Sequence, residues 1–421
     1  MKVVVAGLWH LGTVVAACCA SSGHDVIAFD EESVVKKVGA GELPVEEPGL
    51  RELIASATRD GRLRFTSCAN ETSGCDVLWI CYDTPVDEND VADIEIVKRK
   101  TRELLNVLTA ARVVVISAQL PVGSTAQFER DYPLLRFVYS PENLRLGKAI
   151  EVFTNPDRVV AGVRDPLVKH TVARLFAPFT DNIEWMSIES AEMTKHALNA
   201  FLATSISFIN EIASICEQTG ADAQEVERGL KTDVRIGERA YLHAGMAFAG
   251  GTLARDISYL LSTADAHGRP AYLLRGVIDS NASHKAWVRR RIVDILKDLQ
   301  GKRVAVLGLT YKPGTNTLRR SSSVEICRWL CEQGAEVRAF DPAIGPAVDV
   351  IEGVQIVSSA SGALTGADAA LIATPWQDFR SIPTSAFKSM RRCAVIDPVR
   401  HLEKLLRPDP SIEYFSIGVG S

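Results

Sequence analysis

The feature that most constrains the fold is a strand, turn and helix pattern that opens the chain and returns in its last third. Residues 2–30 hold the apolar run KVVVAG, a helix pattern TVVAACCASSG, and a second run HDVIAFD. The same order recurs at 302–342 as RVAVLG, SSVEICRWLCEQG and AEVRAFD. Strands that alternate with helices predict a parallel sheet with helices on both faces. We therefore expect an α/β chain with two doubly wound domains.

The middle of the chain has a different pattern. From about residue 187, the run SAEMTKHALNAFLATSISFINEIASICEQTG carries apolar residues at helical spacing and contains no proline. We predict three domains, at 1–186, 187–297 and 298–421, with a long helix in the central one. Its apolar stripe predicts a homodimer, and the alternative is a helix buried in its own core; the stripe comprises Leu198, Phe201, Leu202, Ile206, Phe208, Ile209 and Ile212.

Composition excludes several classes of protein. The 421 residues have a net charge of -5 and no long basic run, which argues against a nucleic-acid binder. We expect no membrane span, and the opening residues enter a strand pattern without a signal peptide, which predicts a cytoplasmic protein. The nine cysteines form no CxxC pair and no Cys/His spacing, so we predict reduced thiols and no metal site.

The loop GLWHLG, residues 7–12, stands where a dinucleotide-binding glycine loop is expected. Such a loop offers backbone amides and a helix N-terminus to a pyrophosphate, and here Trp9 replaces the second glycine. Asp30 ends the next strand, where a carboxylate can bind the ribose hydroxyls and repel a 2′-phosphate. This pattern favours NAD over NADP, and the alternative is a turn without a ligand. The predicted cofactor residues in this region are Gly7, His10, Leu11, Gly12 and Asp30.

Several longer motifs carry a resemblance to one family. They include GELPVEEPGL, DTPVDENDVADI, LPVGST, SPENLRLGKAIEVFTNPDRVVAGV, the long helix, RIG and VLGLTYKPGTNTLRRS. Together they resemble the UDP-glucose/GDP-mannose dehydrogenases, which oxidise nucleotide sugars with NAD. The resemblance implies two Rossmann-like doubly wound domains joined by a central long-helix domain that forms a dimer, with a C-terminal domain that binds a UDP-sugar.

The resemblance also assigns site residues. Thr84, Gln119 and Glu142 match positions near the nicotinamide, although the family usually has Thr at 119 and often an acid at 146, where this chain has Leu. Lys195 and Asn199 match a pair on the central helix that stabilises an alkoxide, and their spacing places them on one helical face. The other implied substrate-binding residues are Leu144, Arg145, Arg235, Tyr241, Phe248, Gly250, Lys312 and Arg319.

The stretch FAGGTLARD, residues 248–256, departs from the family. Aligned on Asp256, it has Thr252 where the family has the cysteine that binds the sugar aldehyde covalently for a second oxidation. A threonine hydroxyl without an adjacent base is a poor nucleophile. We therefore predict a dehydrogenase that performs one two-electron oxidation, with Lys195, Asn199, Asp256 and Glu142 as catalytic residues. The alternatives are direct oxidation of the aldehyde hydrate to an acid, epimerisation, and a non-catalytic binding protein.

Overall fold

The structure is a computed structural model that describes residues 1–85, 92–108, 112–248, 252–319, 321–346 and 351–420. The described chain divides into two compact units, Met1–Leu198 and Asn199–Ser421. Each unit is built around a largely parallel sheet, which confirms the predicted α/β class. The boundary between the units falls inside one long helix. The boundaries of the three predicted domains stay a prediction.

The first unit contains an eight-stranded sheet with strand order β3-β2-β1-β4-β5-β6-β7-β8. Among the described residues, only the β6–β7 pair is antiparallel. The strands are β1 Lys2–Ala6, β2 Asp25–Phe29, β3 Leu63–Thr66, β4 Val77–Ile80, β5 Val113–Ile116, β6 Arg136–Tyr139, β7 Val159–Val163 and β8 Ile183–Met186. The helices are α1 His10–Ser21, α2 Glu32–Gly39, α3 Leu50–Arg59, α4 Ile94–Leu105, α5 Ser124–Asp131, α6 Ala149–Thr154 and α7 Lys169–Phe176.

Burial on both faces explains the unbroken apolar runs. In β1, Val3 and Val5 pack into one hydrophobic cluster, whereas Val4 and Ala6 pack into another on the opposite face. A central parallel strand covered on both sides reads as a continuous apolar run rather than an alternation. Helix α1 is buried from Gly12 to Ala20, which small apolar residues permit.

The long helix α8 spans Ile188–Thr219 and contains the boundary between the units. It is long and apolar enough to cross a membrane by length and composition alone, contrary to the expectation that no segment would be. Core helices of soluble proteins meet the same criterion. The helix also carries buried polar side chains that hydrogen-bond within the protein, among them Glu192, Lys195 and Asn210.

The second unit combines helices with a six-stranded parallel sheet of order β11-β10-β9-β12-β13-β14. After α8, its helices are α9 Ala223–Thr232, α10 Thr252–Ala266, α11 Tyr272–Lys285, α12 Trp287–Leu296, α13 Ser322–Glu332, α14 Ala360–Leu364, α15 Thr384–Phe387 and α16 Glu403–Leu406. Its strands are β9 Arg303–Leu307, β10 Glu336–Phe340, β11 Val354–Ile356, β12 Ala369–Ile372, β13 Ala394–Ile396 and β14 Glu413–Phe415. In the described part of the chain, short 3₁₀ helices lie at Ala69–Thr72 and Pro166–Val168 in the first unit and at Gln377–Ser381 in the second.

Candidate active site

The glycine loop between β1 and α1 keeps the two glycines that the backbone requires. Gly7 has a φ of +95°, and a Cβ there would lie 2.6 Å from the Tyr82 nitrogen. A Cβ on Gly12 would lie 1.7 Å from the Gly7 carbonyl oxygen. A side chain at either position would therefore prevent the close approach of helix and strand that a dinucleotide loop needs.

The replacement of the second glycine by Trp9 is accommodated by the backbone. Trp9 has a φ of -81°, which any residue adopts, and it precedes the first helical residue of α1. Its side chain points partly to solvent, with 41% of the residue exposed. The loop therefore retains its turn and its helix N-terminus in spite of the substitution.

Asp30 lies at the carboxyl end of β2 and is buried. Its Oδ2 accepts a hydrogen bond from the Leu8 amide at 2.7 Å, and its Oδ1 accepts one from the Glu31 amide at 2.8 Å. A carboxylate has about four acceptor positions. Asp30 can therefore also accept hydrogen bonds from the two ribose hydroxyls of a dinucleotide.

The second unit repeats this turn and its aspartate, but other donors fill the acceptor positions of that aspartate. Gly308 also has a φ of +95°, and Asp341 Oδ2 accepts the Leu309 amide at 2.7 Å. That oxygen also accepts the amide and hydroxyl of Thr310 and the indole N–H of Trp376, and Oδ1 accepts the Ala343 amide. These donors occupy the carboxylate, so the second unit does not offer the ribose site of the first.

The first residues of α1 lie beside a buried carboxylate. His10 is the first helical residue, and its Nε2 lies 3.0 Å from Glu47 Oε2. Leu11 is half-buried and packs against the core of the unit. Glu47 was missed by sequence reasoning, although it belongs to the quoted motif GELPVEEPGL.

Thr84 and Gln119 meet beyond the carboxyl ends of β4 and β5. The Thr84 hydroxyl donates to the Gln119 carbonyl oxygen at 2.8 Å, and both residues are buried. The structure therefore brings together two of the predicted cofactor residues at the edge of the sheet where ligands of doubly wound folds bind.

Glu142 and Lys195 form the main charged contact of the first unit's site. Lys195 Nζ donates to the Glu142 carbonyl oxygen at 2.6 Å and to Oε1 at 3.0 Å, and Oε2 accepts the Leu144 amide at 2.8 Å. Burial acts to raise the pKa of Glu142, but the charge and hydrogen bond of Lys195, together with the Leu144 amide and His10, outweigh it and hold that pKa below its ordinary value. Glu142 is therefore a carboxylate near neutral pH. Arg145 follows in the same loop, and its carbonyl oxygen accepts the Lys148 amide.

Asn199 and Asp256 form the corresponding polar contact in the second unit. The Asn199 side-chain amide donates to Asp256 Oδ2, and both residues are buried. Asn199 lies on α8 and Asp256 on α10. Thr252 is the first residue of α10, one turn before Asp256, and is exposed.

Gly245 and Phe248 are held by three side chains that sequence reasoning missed. Asn281 bonds both the amide and the carbonyl of Phe248, each at 3.0 Å. The Gly245 amide donates to Asn210 at 2.9 Å, and the Gly245 carbonyl lies 2.8 Å from His284 Nε2. Burial lowers the pKa of His284, so its neutral ring donates this bond at pH 7. The predicted substrate residue Gly250 lies outside the described residues.

The remaining predicted substrate residues lie in loops of the second unit. Tyr241 is exposed, and Arg235 projects into solvent with its guanidinium 2.7 Å from Asp233 Oδ2. Lys312 is half-buried and Arg319 is exposed, and both belong to the loop between β9 and α13.

All nine cysteines are described and none forms a disulfide. Burial raises the pKa of Cys18 to about 12 and that of Cys75 to about 11, and it raises those of Cys19, Cys81 and Cys327. A buried thiol with a raised pKa is a poor nucleophile. In the described part of the chain, no group of three or more His, Cys, Asp or Glu side chains could hold a metal ion.

Comparison with known proteins agrees with this geometry. Residues 1–180 match the NAD binding domain of the UDP-glucose/GDP-mannose dehydrogenase family, 189–283 its central domain, and 305–404 its UDP binding domain. A UDP-glucose 6-dehydrogenase of Rhizobium meliloti (strain 1021) is 34% identical over 96% of this chain and 95% of its own. The UDP-glucose 6-dehydrogenase TuaD of Bacillus subtilis (strain 168) is 33% identical over 96% of this chain and 90% of its own.

Solved structures give the same result. A UDP-glucose dehydrogenase from Pyrobaculum islandicum superposes with a TM-score of 0.89 at 28% identity, covering 100% of this chain and 98% of that one. The UDP-D-ManNAc dehydrogenase of Pyrococcus horikoshii gives a TM-score of 0.87 at 25% identity, with 99% of each chain covered.

The fold and the glycine loop define a dinucleotide-dependent oxidoreductase. The chain belongs to the UDP-glucose/GDP-mannose dehydrogenase family, and its cofactor is NAD.

Proposed function

We propose that this dehydrogenase oxidises a CH–OH group of a UDP-sugar in a single two-electron step and releases an aldehyde or ketone. The observation that carries this proposal is Thr252 at the start of α10, where the family resemblance expects a cysteine. The segment 241–256 contains no cysteine at all. The second oxidation of the family depends on a thiolate, and a threonine hydroxyl without a neighbouring base does not replace it.

The retained residues suit the first oxidation. The substrate hydroxyl must lose its proton while its carbon loses a hydride, and NAD⁺, which the loop before α1 and Asp30 would hold, would supply the hydride acceptor. We assign proton acceptance to Asp256, which Asn199 holds by a hydrogen bond. We assign stabilisation of the developing alkoxide to Lys195, whose ammonium Glu142 fixes in place. Leu144, Arg145, Tyr241, Phe248, Gly250, Lys312 and Arg319 are proposed to bind the sugar nucleotide.

The stoichiometry of NADH formation tests this proposal. Purified protein is incubated with NAD⁺ and one of a panel of UDP-sugars, beginning with UDP-glucose, and NADH is counted per substrate consumed. We expect one NADH and an aldehyde or ketone by mass spectrometry. Two NADH with a carboxylate product would refute the single step in favour of direct oxidation of the aldehyde hydrate. No net NADH with an epimer as product would indicate transient oxidation, and no turnover on any sugar would indicate a binding protein.

A matched pair of variants tests the role of Thr252 itself. Thr252→Ser keeps the hydroxyl and Thr252→Ala removes it. Neither substitution places a larger side chain at the exposed start of α10. If Thr252 does not act as a nucleophile, both variants keep turnover within a few-fold of the wild type. A hundredfold loss in Thr252→Ala alone would show that the hydroxyl takes part in the chemistry.

We also propose a homodimer through α8. Phe201, Phe208 and Ile215 are 70%, 46% and 57% exposed and lie seven residues apart, which places them in one stripe along the helix. Of the residues predicted for this stripe, Ile209 is buried, and Leu198, Leu202, Ile206 and Ile212 are half-buried. A row of exposed large apolar side chains marks an interface. The double variant Phe201→Glu/Phe208→Glu should be monomeric by light scattering, whereas Leu167→Glu, at an exposed leucine of the first unit, should not change the mass.

Two further assignments complete the proposal. Arg235 has little to hold it beyond Asp233, and we propose that it acts on the substrate of the partner subunit. Mixing inactive Arg235→Ala and Lys195→Met proteins should then restore part of the activity. We place the protein in the cytoplasm, because its nine free thiols suit a reducing compartment.

A further inference from the structure

Glu47 occupies a buried position between the cofactor loop and the loop that carries Glu142. Its side chain is 1% exposed. Oε1 accepts the Ala149 amide at 2.7 Å, and Oε2 accepts the Gly147 amide at 2.8 Å and lies 3.0 Å from His10 Nε2. A buried carboxylate needs several donors to offset its lost hydration. The loop amides and the imidazole of His10 supply them.

His10 lies in the turn that contacts the cofactor in dinucleotide-binding domains. It is the first residue of α1, whose N-terminal amides face the pyrophosphate in this fold. The backbone of His10 therefore belongs to the phosphate-binding turn, while its side chain contacts Glu47. Any adjustment of this turn on cofactor binding reaches the Glu47 carboxylate through one hydrogen bond.

The other end of the connection is the segment 142–149. Lys195 fixes its beginning through Glu142, and Glu47 fixes its end through Gly147 and Ala149. Gly147 has a φ of +83°, so the chain turns sharply at the first of the two amides that Glu47 accepts. Between these two points lie Leu144 and Arg145, which we assign to sugar-nucleotide binding. Glu47 thus anchors one end of the segment that we assign to sugar-nucleotide binding.

We propose that His10 and Glu47 are positioning residues that couple dinucleotide binding at α1 to the placement of segment 142–149 for the sugar nucleotide. This inference rests on the proposed substrate. Binding of either ligand then favours the arrangement that the other requires. Coupling between two ligands is reciprocal, and values of about 5- to 150-fold are typical. We expect about tenfold here, because a single hydrogen bond between side chains carries the connection.

The first experiment measures this coupling by calorimetry, with NADH and UDP-glucose as probes, a pair that cannot react. In the wild type, saturating NADH should tighten UDP-glucose binding about tenfold. In His10→Ala each ligand should still bind, but the tightening should fall below twofold. His10→Gln, which keeps a side-chain N–H donor, should restore part of it. The control is His243→Ala, which removes another His–Glu contact, of 2.9 Å to Glu227 in the second unit, and should leave the coupling unchanged.

The second experiment does not depend on the sugar. Hydrogen exchange is followed in peptides that cover 143–150, with and without NADH. NADH should slow exchange at Gly147 and Ala149 in the wild type but not in His10→Ala. Glu47→Gln should speed exchange at both amides, with circular dichroism verifying that the variant is folded.

The outcomes separate the two proposals. If UDP-glucose and the other UDP-sugars do not bind while NADH protects segment 142–149, the proposed substrate is wrong and the link from His10 to Glu47 stands. If both ligands bind but His10→Ala keeps the full coupling, or NADH protects the loop equally in that variant, the positioning role is wrong. The same holds if the wild type shows neither coupling nor protection.

Discussion

Removing the ammonium of Lys195 is expected to leave the partly buried carboxylate of Glu142 without its cationic partner. In Lys195→Met, Glu142 keeps the Leu144 amide but loses both contacts with Lys195. Breaking one partner of a buried ion pair costs about 3 to 5 kcal/mol. Because the Glu142 side chain is still 25% exposed, we take the low end, about 3 kcal/mol of lost unfolding free energy at pH 7.5.

The loss should depend on pH with a definite sign. In the wild type the pKa of Glu142 is held below its ordinary value, so its contribution is present above about pH 4.3 and disappears as pH falls through the lower folded value. In the variant, burial without Lys195 raises that pKa, so protonation relieves the cost as pH falls. The difference between the two proteins should therefore shrink from pH 7 towards pH 5, by at most about 1.4 kcal/mol per pH unit.

Urea denaturation at several pH values measures this difference. The double variant Lys195→Met/Glu142→Gln should be more stable than Lys195→Met at pH 7.5, because no charge remains to be buried. The control Lys36→Met breaks the exposed Lys36–Glu32 pair and should change nothing measurable. A loss below about 1 kcal/mol that is equal at pH 7.5 and pH 5 would refute the reasoning. In folded Lys195→Met, kcat should fall by about two to four orders of magnitude with a smaller change in sugar-nucleotide affinity.

Three other expectations follow from the same structure. Asp30→Asn keeps an acceptor for the Leu8 amide but loses the charge, so the preference for NAD⁺ over NADP⁺ in kcat/KM should fall about tenfold; an unchanged preference would exclude Asp30 from cofactor choice. Iodoacetamide should leave the activity of the triple variant Cys68→Ser/Cys331→Ser/Cys393→Ser intact, because the exposed and the half-buried thiols are gone and the remaining six are buried; inhibition would mean that another thiol serves the reaction. Gly418→Ala should cost about 2 to 3 kcal/mol in thermal or urea unfolding, because Gly418 has a φ of +75° and a Cβ there would lie 2.4 Å from that of Ala223. Gly268→Ala, at a φ of +62° with open space around it, should cost only about 1 kcal/mol, and equal losses would show that the predicted clash is relieved.

The sequence alone was sufficient to predict the central strands and the cofactor loop. KVVVAG and RVAVLG were readable as central strands because burial on both faces demands an unbroken apolar run. Gly7 and Gly12 were readable because the turn needs a φ of +95° at the first and would place a Cβ at the second 1.7 Å from the Gly7 carbonyl oxygen, and both requirements are local. The family resemblance added Lys195, Asn199 and Asp256, which spacing alone would not have distinguished from ordinary polar residues of helices.

Tertiary packing decided which polar groups meet. Glu47 binds amides about 100 residues further along the chain, and Asn281, on α11, hydrogen-bonds the backbone of Phe248. No periodicity encodes such partners, because a hydrogen bond depends on where two separately folded segments come to lie. The motif GELPVEEPGL therefore contributed to the family resemblance but did not show what Glu47 binds.

The two AFD triplets give the sharpest contrast between sequence and structure. Residues 28–30 and 339–341 are identical, follow equivalent strands, and end in an aspartate that accepts the amide of a leucine after a glycine with the same φ. In the first unit the carboxylate keeps acceptor positions for a ribose. In the second, Thr310 and Trp376 occupy them. The local pattern determined the turn in both places, whereas a tryptophan from the loop after β12, brought in by the packing of the sheet, decided that only the first turn retains a dinucleotide site.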